Sequence, residues 1–205
     1  MMGKVEVARF REIKPEIRIL GLDDGKFIPH SRNMVDVIGV VFRGGYWLEG
    51  VLRTEVQVDG LDATEKITDM VINSPHYDQL RVLMLNGITF GGFNVINIKE
   101  LNKNTQLSVI ALTKEKPDLT SIKAALTKLS NWELRWRAIE DAGPILSVVT
   151  KTGAEPIRFQ IAGILEDDAK KIIKMVCTHS SIPEPIRVAH IIAQAVSRYK
   201  TRPQS

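Results

Sequence analysis

The apolar positions of this chain change period along its length, and the change separates its elements. Residues 18–22, Arg-Ile-Leu-Gly-Leu, form a short, nearly continuous apolar run, the pattern of a buried strand. Residues 35–42, Val-Asp-Val-Ile-Gly-Val-Val-Phe, are rich in β-branched side chains and predict a second strand. Arg43-Gly44-Gly45 reads as a hairpin turn. Residues 46–58 predict a third strand, with alternation clearest from Thr54 to Val58. These three strands read as an antiparallel meander.

A helical period follows. Asp62-Ala63-Thr64-Glu65 has the spacing of a capping box, and Ile67, Met70 and Val71 give that helix its apolar stripe. Residues 80–85 form another buried strand, 93–101 a short helix or extended segment, and 107–112 a further strand. Pro117-Asp118-Leu119-Thr120 opens a long helix carrying Ile122, Leu126, Leu129, Trp132, Trp136 and Ile139, which Gly143-Pro144 stops. Two short strands, 145–150 and 157–161, flank Thr152-Gly153. Residues 166–177 read as a helix. A last helix begins near Pro183 or Pro185, with Ser181 and Glu184 as a second capping box.

Three antiparallel strands followed by helix-separated parallel strands predict a mixed α/β sheet with helices on both faces, the layout of ribonuclease H-like folds. The length of 205 residues suits a single domain over 1–205, with a flexible tail from about 200. Ligands in such sheets gather at the carboxyl ends of strands. That directs attention to Asp23-Asp24-Gly25 after the first strand and Asn86-Gly87 after the fourth. Asp59, after the third strand, reaches the same cleft if that strand runs in the direction of the first.

A phosphodiester-cleaving site needs hard oxygen ligands for Mg²⁺. Asp23, Asp24 and Asp59 are the candidate metal ligands, and Asp23, Asn86 and Asp59 the candidate catalytic residues. Alternation sends Asp23 and Asp24 to opposite faces. An Asp-Asp-Gly or Asp-Gly sequence is also an ordinary turn. Asn86 offers a neutral carbonyl oxygen where its neighbours ask for a carboxylate. Gly91-Gly92-Phe93 lets a ligand approach the backbone and supplies an aromatic ring, and is the candidate nucleic-acid-binding loop. It matches neither a Walker loop nor a dinucleotide fingerprint.

Composition narrows the picture only slightly. The chain carries 28 Lys and Arg against 24 Asp and Glu, a net charge of +4 that permits nucleic-acid binding without requiring it. Arg198, Lys200 and Arg202 cluster around Tyr199 near the C-terminus. No apolar run spans a membrane and no signal sequence is recognisable, so the expected location is cytoplasmic. Cys177 is the only cysteine, which excludes a disulfide framework. His30, His76, His179 and His190 show no zinc-binding spacing; His190 reads as a packed helical side chain, and His179 as loop-borne.

The chain resembles the archaeal endonuclease dU family, itself distantly similar to endonuclease V. The resemblance rests on Gly21-Leu22-Asp23-Asp24-Gly25-Lys26-Phe27, Val58-Asp59-Gly60-Leu61-Asp62-Ala63-Thr64, residues 85–94 from Leu85 through Asn86-Gly87 to Asn94, and residues 182–190 ending in His190. It implies a ribonuclease H-like fold and a Mg²⁺- or Mn²⁺-dependent endonuclease acting on DNA with deaminated or damaged bases. Asp23 matches a catalytic aspartate on the first strand. Asn86 and Asn97 stand where that resemblance calls for aspartate, and Asp59 or Asp62 loosely match a glutamate after the third strand. The departure at Asn86 leaves open a nucleic-acid-binding protein that no longer cuts. An enzyme acting on a small phosphorylated molecule is a further alternative.

Overall fold

The structure, a computed structural model, describes residues 10–31, 33–113 and 117–200, with side chains as far as Ser197. In chain order its strands are β1 (Arg18–Asp24), β2 (Met34–Arg43), β3 (Trp47–Gln57), β4 (Leu80–Asn86), β5 (Thr89–Phe90), β6 (Asn94–Val95), β7 (Ser108–Thr113), β8 (Leu146–Val148) and β9 (Ile157–Ala162). Seven of them form a central sheet in the order β3-β2-β1-β4-β7-β9-β8, and β5 and β6 pair separately. The meander of β1, β2 and β3 is antiparallel, with its turn after Arg43. β4 and β7 add in parallel to β1. β9 then runs antiparallel to β7, and β8 antiparallel to β9, so the parallel core is only three strands wide.

Strand alternation distributes the core between two faces. Leu20, Leu22, Leu83, Leu85, Val109 and Ala111 point to one face, where α1 (Ala63–Ile72) and α2 (Ile98–Thr105) bury Ile67, Val71, Ile98 and Leu101 on them. Ile19, Val82, Met84, Ile110 and Leu112 point to the other, under Ala169, Ile172 and Ile173 of α5 (Glu166–Met175). α6 (Glu184–Lys200) completes that face, packing Ala189 and Ala193 on Ile38, Val40 and Phe42. Gly21 lets α6 come this close, since a Cβ there would stand 2.4 Å from the Pro185 carbonyl carbon.

Several local expectations are corrected. The segment from Phe93 is not one element; β6 closes a small hairpin with β5, and α2 follows. The long helix of 117–142 is two, α3 (Leu119–Leu126) and α4 (Trp132–Asp141). Asn131 breaks it at φ +54°, a conformation asparagine tolerates better than most residues. Asp62 makes no cap; its carboxylate accepts from the Gln57 amide and from Asn94 Nδ2 at 2.6 Å. Asn94 caps in its place, its Oδ1 accepting from Ala63 N at 3.0 Å. α6 opens at Glu184 itself, whose carboxylate is engaged by Arg187 rather than in a box with Ser181. Among the described residues no helix is long and apolar enough to cross a membrane. Residues 201–205 and the side chains of Arg198, Tyr199 and Lys200, which carry the basic cluster of the C-terminus, lie outside the described part.

Candidate active site

β1 and β4 are parallel neighbours, so their carboxyl ends lie side by side and bring Asp23 and Asn86 together. Parity decides the face. Asp23 continues the row of Ile19 and Gly21, and Asn86 that of Val82 and Met84, both towards α5 and α6. Asp23 is 2% exposed. Its Oδ2 lies 2.7 Å from His190 Nδ1, its Oδ1 accepts from the Asp24 amide at 2.9 Å, and the Asn86 side chain hydrogen-bonds to it as well. A cleft of about 400 Å³ joins Asp23, Asp24, Asn86, His190, Lys26 and Gln194.

The reading of His190 as packing is corrected: its side chain is 55% exposed and meets the buried carboxylate. A signal for it exists in the sequence. It follows Ile186 by four residues and precedes Ala193 by three, so a titratable group sits beside the stripe that α6 turns to the sheet. Lys26 is a second residue that sequence reasoning does not single out. Its backbone N–H donates to Ser197 Oγ at 2.8 Å, which fixes the strand exit against α6 and leaves the exposed ammonium at the cleft mouth.

Asp24 turns the other way, as alternation requires. Its Oδ2 accepts from the Gly91 amide at 2.7 Å. Asp59 does not join the cleft of Asp23. It stands two strands away, lines a separate cavity with His30 and Ser130, and accepts on its Oδ1 from the Phe93 amide at 2.8 Å. A left-handed backbone at Asp59, φ +52°, aims the carboxylate at that loop. Two carboxylates therefore hold Gly91-Gly92-Phe93 from opposite sides. The space beside both glycines is filled by the protein's own atoms, since a Cβ on Gly92 would lie 2.4 Å from Asp59 Oδ1. Phe93 alone of the three lines an apolar cavity of about 660 Å³ beyond the Asn86-Gly87 turn. Asn97 acts locally, its Oδ1 capping α2 by accepting from Lys99 N and Glu100 N, as an aspartate would equally do.

Burial pushes the Asp23 carboxyl above its ordinary range, against the lowering effect of hydrogen bonds from Asn86 and His190. Asp24 is pushed up to about 6, first by burial, against the Gly91 amide, with the neighbouring Asp23 charge adding to the rise. A carboxyl whose pKa rises on folding is protonated preferentially in the native state. Its contribution to stability is fully present below pH 4 and is lost as pH rises through 6. Thermal melts in a chelating buffer are therefore expected to fall across that window, and to fall less in Asp24→Asn. An unchanged slope in the variant would remove Asp24 as the cause.

Among the described residues no three His, Cys, Asp or Glu side chains converge on one point. The donors present fit a hydrated ion rather than a closed cage. Mg²⁺ keeps several waters and takes one or two carboxylates; the Asp23 carboxylate and the Asn86 carbonyl oxygen are the groups of this cleft that suit such an ion, while Asp24 is committed to the Gly91 amide. A carboxylate buried as deeply as Asp23 is a place where added positive charge is favourable.

Residues 15–197 match the family described as Endonuclease dU. A UPF0215 protein of Methanothermobacter thermautotrophicus is 53% identical over 199 residues, covering 97% of this chain and 96% of the relative. The crystal structure of a protein of unknown function from Archaeoglobus fulgidus superposes with a TM-score of 0.78 at 37% identity, covering 87% of this chain and 97% of that one. Ciona intestinalis endonuclease V, in complex with a 24mer DNA containing an inosine followed by a ribo-adenosine, gives a TM-score of 0.58 at 15% identity over 90% of this chain and 87% of that one. That last likeness establishes the ribonuclease H-like fold.

Proposed function

The chain belongs to the endonuclease dU family, and on that premise we propose that it is a metal-dependent endonuclease cutting DNA beside a deaminated or damaged base. The observation that carries this reading is the buried Asp23 carboxylate 2.7 Å from His190 Nδ1, with Asn86 beside it at the ends of two parallel strands. Asp23 fixes the imidazole with its proton on Nδ1 and leaves Nε2 free to accept one. In the proposed reaction a water attacks phosphorus, its proton passes to His190 Nε2, and the bond to the leaving oxygen breaks, that oxygen taking a proton from solvent. Asp23 stabilises the imidazolium that forms. Asn86 holds the Asp23 carboxylate in place, and Lys26 gives its positive charge to a non-bridging phosphate oxygen. A Mg²⁺ or Mn²⁺ ion held by Asp23 and the Asn86 carbonyl would polarise the phosphate and lower the pKa of water. The everted base enters the cavity of about 660 Å³, with Phe93 on its wall and Gly91 and Gly92 permitting the turn that presents it. Asp59 supports that loop and stays outside the chemistry.

One observation favours a second reading, a nucleic-acid-binding protein that does not cut. Position 86 carries an amide, which gives a cation no charge compensation.

The test is cleavage of end-labelled oligonucleotides carrying uracil, hypoxanthine or no lesion, with Mg²⁺ or Mn²⁺ and with Asn86→Asp in parallel. Lesion-dependent cutting by the native chain is expected, and Asn86→Asp is expected to cut faster at low metal concentration. Cutting by the variant alone would establish the second reading. Absence of cutting by both would overturn the nuclease.

A further inference from the structure

The two edges of the central sheet differ in length. β8 is three residues long, and so short an edge is a poor template for pairing. β3 is eleven residues long, and among the described residues no strand pairs with its outer side. A bulge between Val41 and Phe42 makes Glu49 the extra residue and leaves Gly50 to Gln57 in regular register with β2. Two contacts show which way the backbone groups point. Val58 N donates to the Asn33 carbonyl, on the β2 side, whereas Gln57 N turns outward to the Asp62 carboxylate at 3.2 Å. Alternation then sends the N–H and C=O groups of Val51, Arg53 and Glu55 outward as well.

The side chains of these three residues share one face. They stand across from Val40, Ile38 and Asp36, on the α6 side of the sheet. Val51 is exposed, and the side chains of Arg53 and Glu55 are 50% and 39% exposed. Arg53 Nη2 donates to Glu55 Oε1 at 3.0 Å, and its Nε to Asp36 Oδ1 at 2.7 Å. The edge thus presents one positive and one negative side chain two residues apart, each on a residue whose backbone groups also point outward.

An identical edge complements this pattern. In an antiparallel pair about a two-fold axis, each residue faces the one equally far beyond the axis. An axis through Thr54 sets Arg53 opposite the partner's Glu55, and Glu55 opposite the partner's Arg53. The four charges then alternate around a square, attractive along every side. The same two residue pairs bring the outward N–H and C=O groups together. Neighbouring registers lack this match. An axis through Arg53 or Glu55 sets like charges face to face, and one through Leu52 sets Arg53 against Val51. The Thr54 axis also brings Trp47 and Leu48, exposed at one end of β3, towards the partner's Leu61, exposed beyond the other end of the strand.

We propose that the outer edge of β3 is a docking surface for a second copy of this chain, the two sheets joining antiparallel about a two-fold axis at Thr54. The inference stands apart from the nuclease reading. The two copies of β1 run in opposite directions, so the Asp23 clefts lie at opposite ends of the joined sheet and the interface touches neither.

Sedimentation velocity over a concentration series reads the association, and oxidative cross-linking reads the register. The native chain is expected to approach twice its monomer mass as concentration rises. Glu55→Arg sets arginines opposite each other in both pairs and is expected to weaken dimerisation by at least about tenfold. The fold tolerates that change, since position 55 faces Asp36 on β2. Adding Arg53→Glu restores the alternation, with Asp36 then partnered from position 55, and is expected to restore the dimer. Thr54→Cys is expected to form an intermolecular disulfide under mild oxidation, because position 54 faces itself in a non-hydrogen-bonded pair with Cα atoms about 4.5 Å apart. Val51→Cys, at a more exposed position, is expected to cross-link far less, because position 51 faces Gln57 in this register. Cys177 is buried and takes no part. A chain that stays monomeric throughout the series would overturn the proposal. So would a dimer that Glu55→Arg leaves intact, or one in which position 51 cross-links as readily as position 54.

Discussion

Asp23→Ala is expected to lower the cleavage rate by at least about a thousandfold while leaving the melting temperature unchanged or raised. Asp23 is the one fully buried carboxylate in the cleft, and it acts there in two ways. It holds His190 with Nδ1 as the donor, and it supplies negative charge where a cation would sit. Removing such charge stabilisation from a transition state costs several kcal/mol, and each 1.36 kcal/mol is tenfold in rate, so a loss of about a thousandfold is the lower bound. Stability should move differently. The Asp23 carboxyl is held above its usual range by burial, so the folded protein is strained by its ionised form. Its partners His190 and Asn86 are both exposed and regain water when it is gone. Steady-state cleavage and differential scanning calorimetry on one preparation check both halves. A variant within tenfold of native activity would remove Asp23 from the chemistry. A melting temperature lowered by about 10 °C or more would make it a structural residue instead.

Arg135→Met is expected to destabilise the fold by about 3–5 kcal/mol without touching the cleft. Arg135 is 4% exposed, and its guanidinium faces backbone carbonyls rather than a carboxylate. It donates to the Gly60 carbonyl at 2.6 Å, the Asp59 carbonyl at 2.7 Å and the Phe93 carbonyl. Burial lowers its pKa from the ordinary arginine value, with Asp59 opposing that shift. Methionine fills much of the volume and leaves four carbonyls, those of Asp59, Gly60, Phe93 and Ser130, without this donor, at roughly 1–3 kcal/mol for each that stays dry. For a domain of this size the loss corresponds to a drop on the order of 10 °C in melting temperature. Calorimetry of Arg135→Met and Arg135→Lys measures it. Lysine is expected to recover little, because an ammonium cannot reproduce the fork that spans four carbonyls. A change below about 1 kcal/mol would show that water replaces the guanidinium at no cost. Since Arg135 ties the Asp59 turn and the Phe93 loop to α4, the same variant is expected to weaken discrimination between bases before it weakens cutting.

The residues legible in the sequence share one property: their role follows from neighbours along the chain. The run of Ile19 to Leu22, the glycines after Arg43 and the apolar strands ending in Asn86 declare themselves by period and turn chemistry. Asp23 and Asn86 stand out because strand ends in an open sheet collect ligands, and both lie at such ends. The break at Asn131 is invisible because Leu126 and Ile139 keep a helical period across it while packing in one small cluster. Asp62 looks like a cap because spacing does not reveal that Asn94, 32 residues later, already fills that place.

The chain by itself determined the strands, most of the helices, the parity that sends Asp23 and Asp24 to opposite faces, and the acid and amide at adjacent strand ends. These depend on interactions over a few residues, where side-chain period and backbone preference suffice. Only the tertiary structure decided that His190, 167 residues from Asp23, completes the pair, that Asp59 serves a loop rather than the cleft, and that Gln160 donates to the Gly143 carbonyl. Each of those assignments depends on which helix crosses which strand and on which atom a distant carbonyl or amide already occupies. Local sequence carries no record of either.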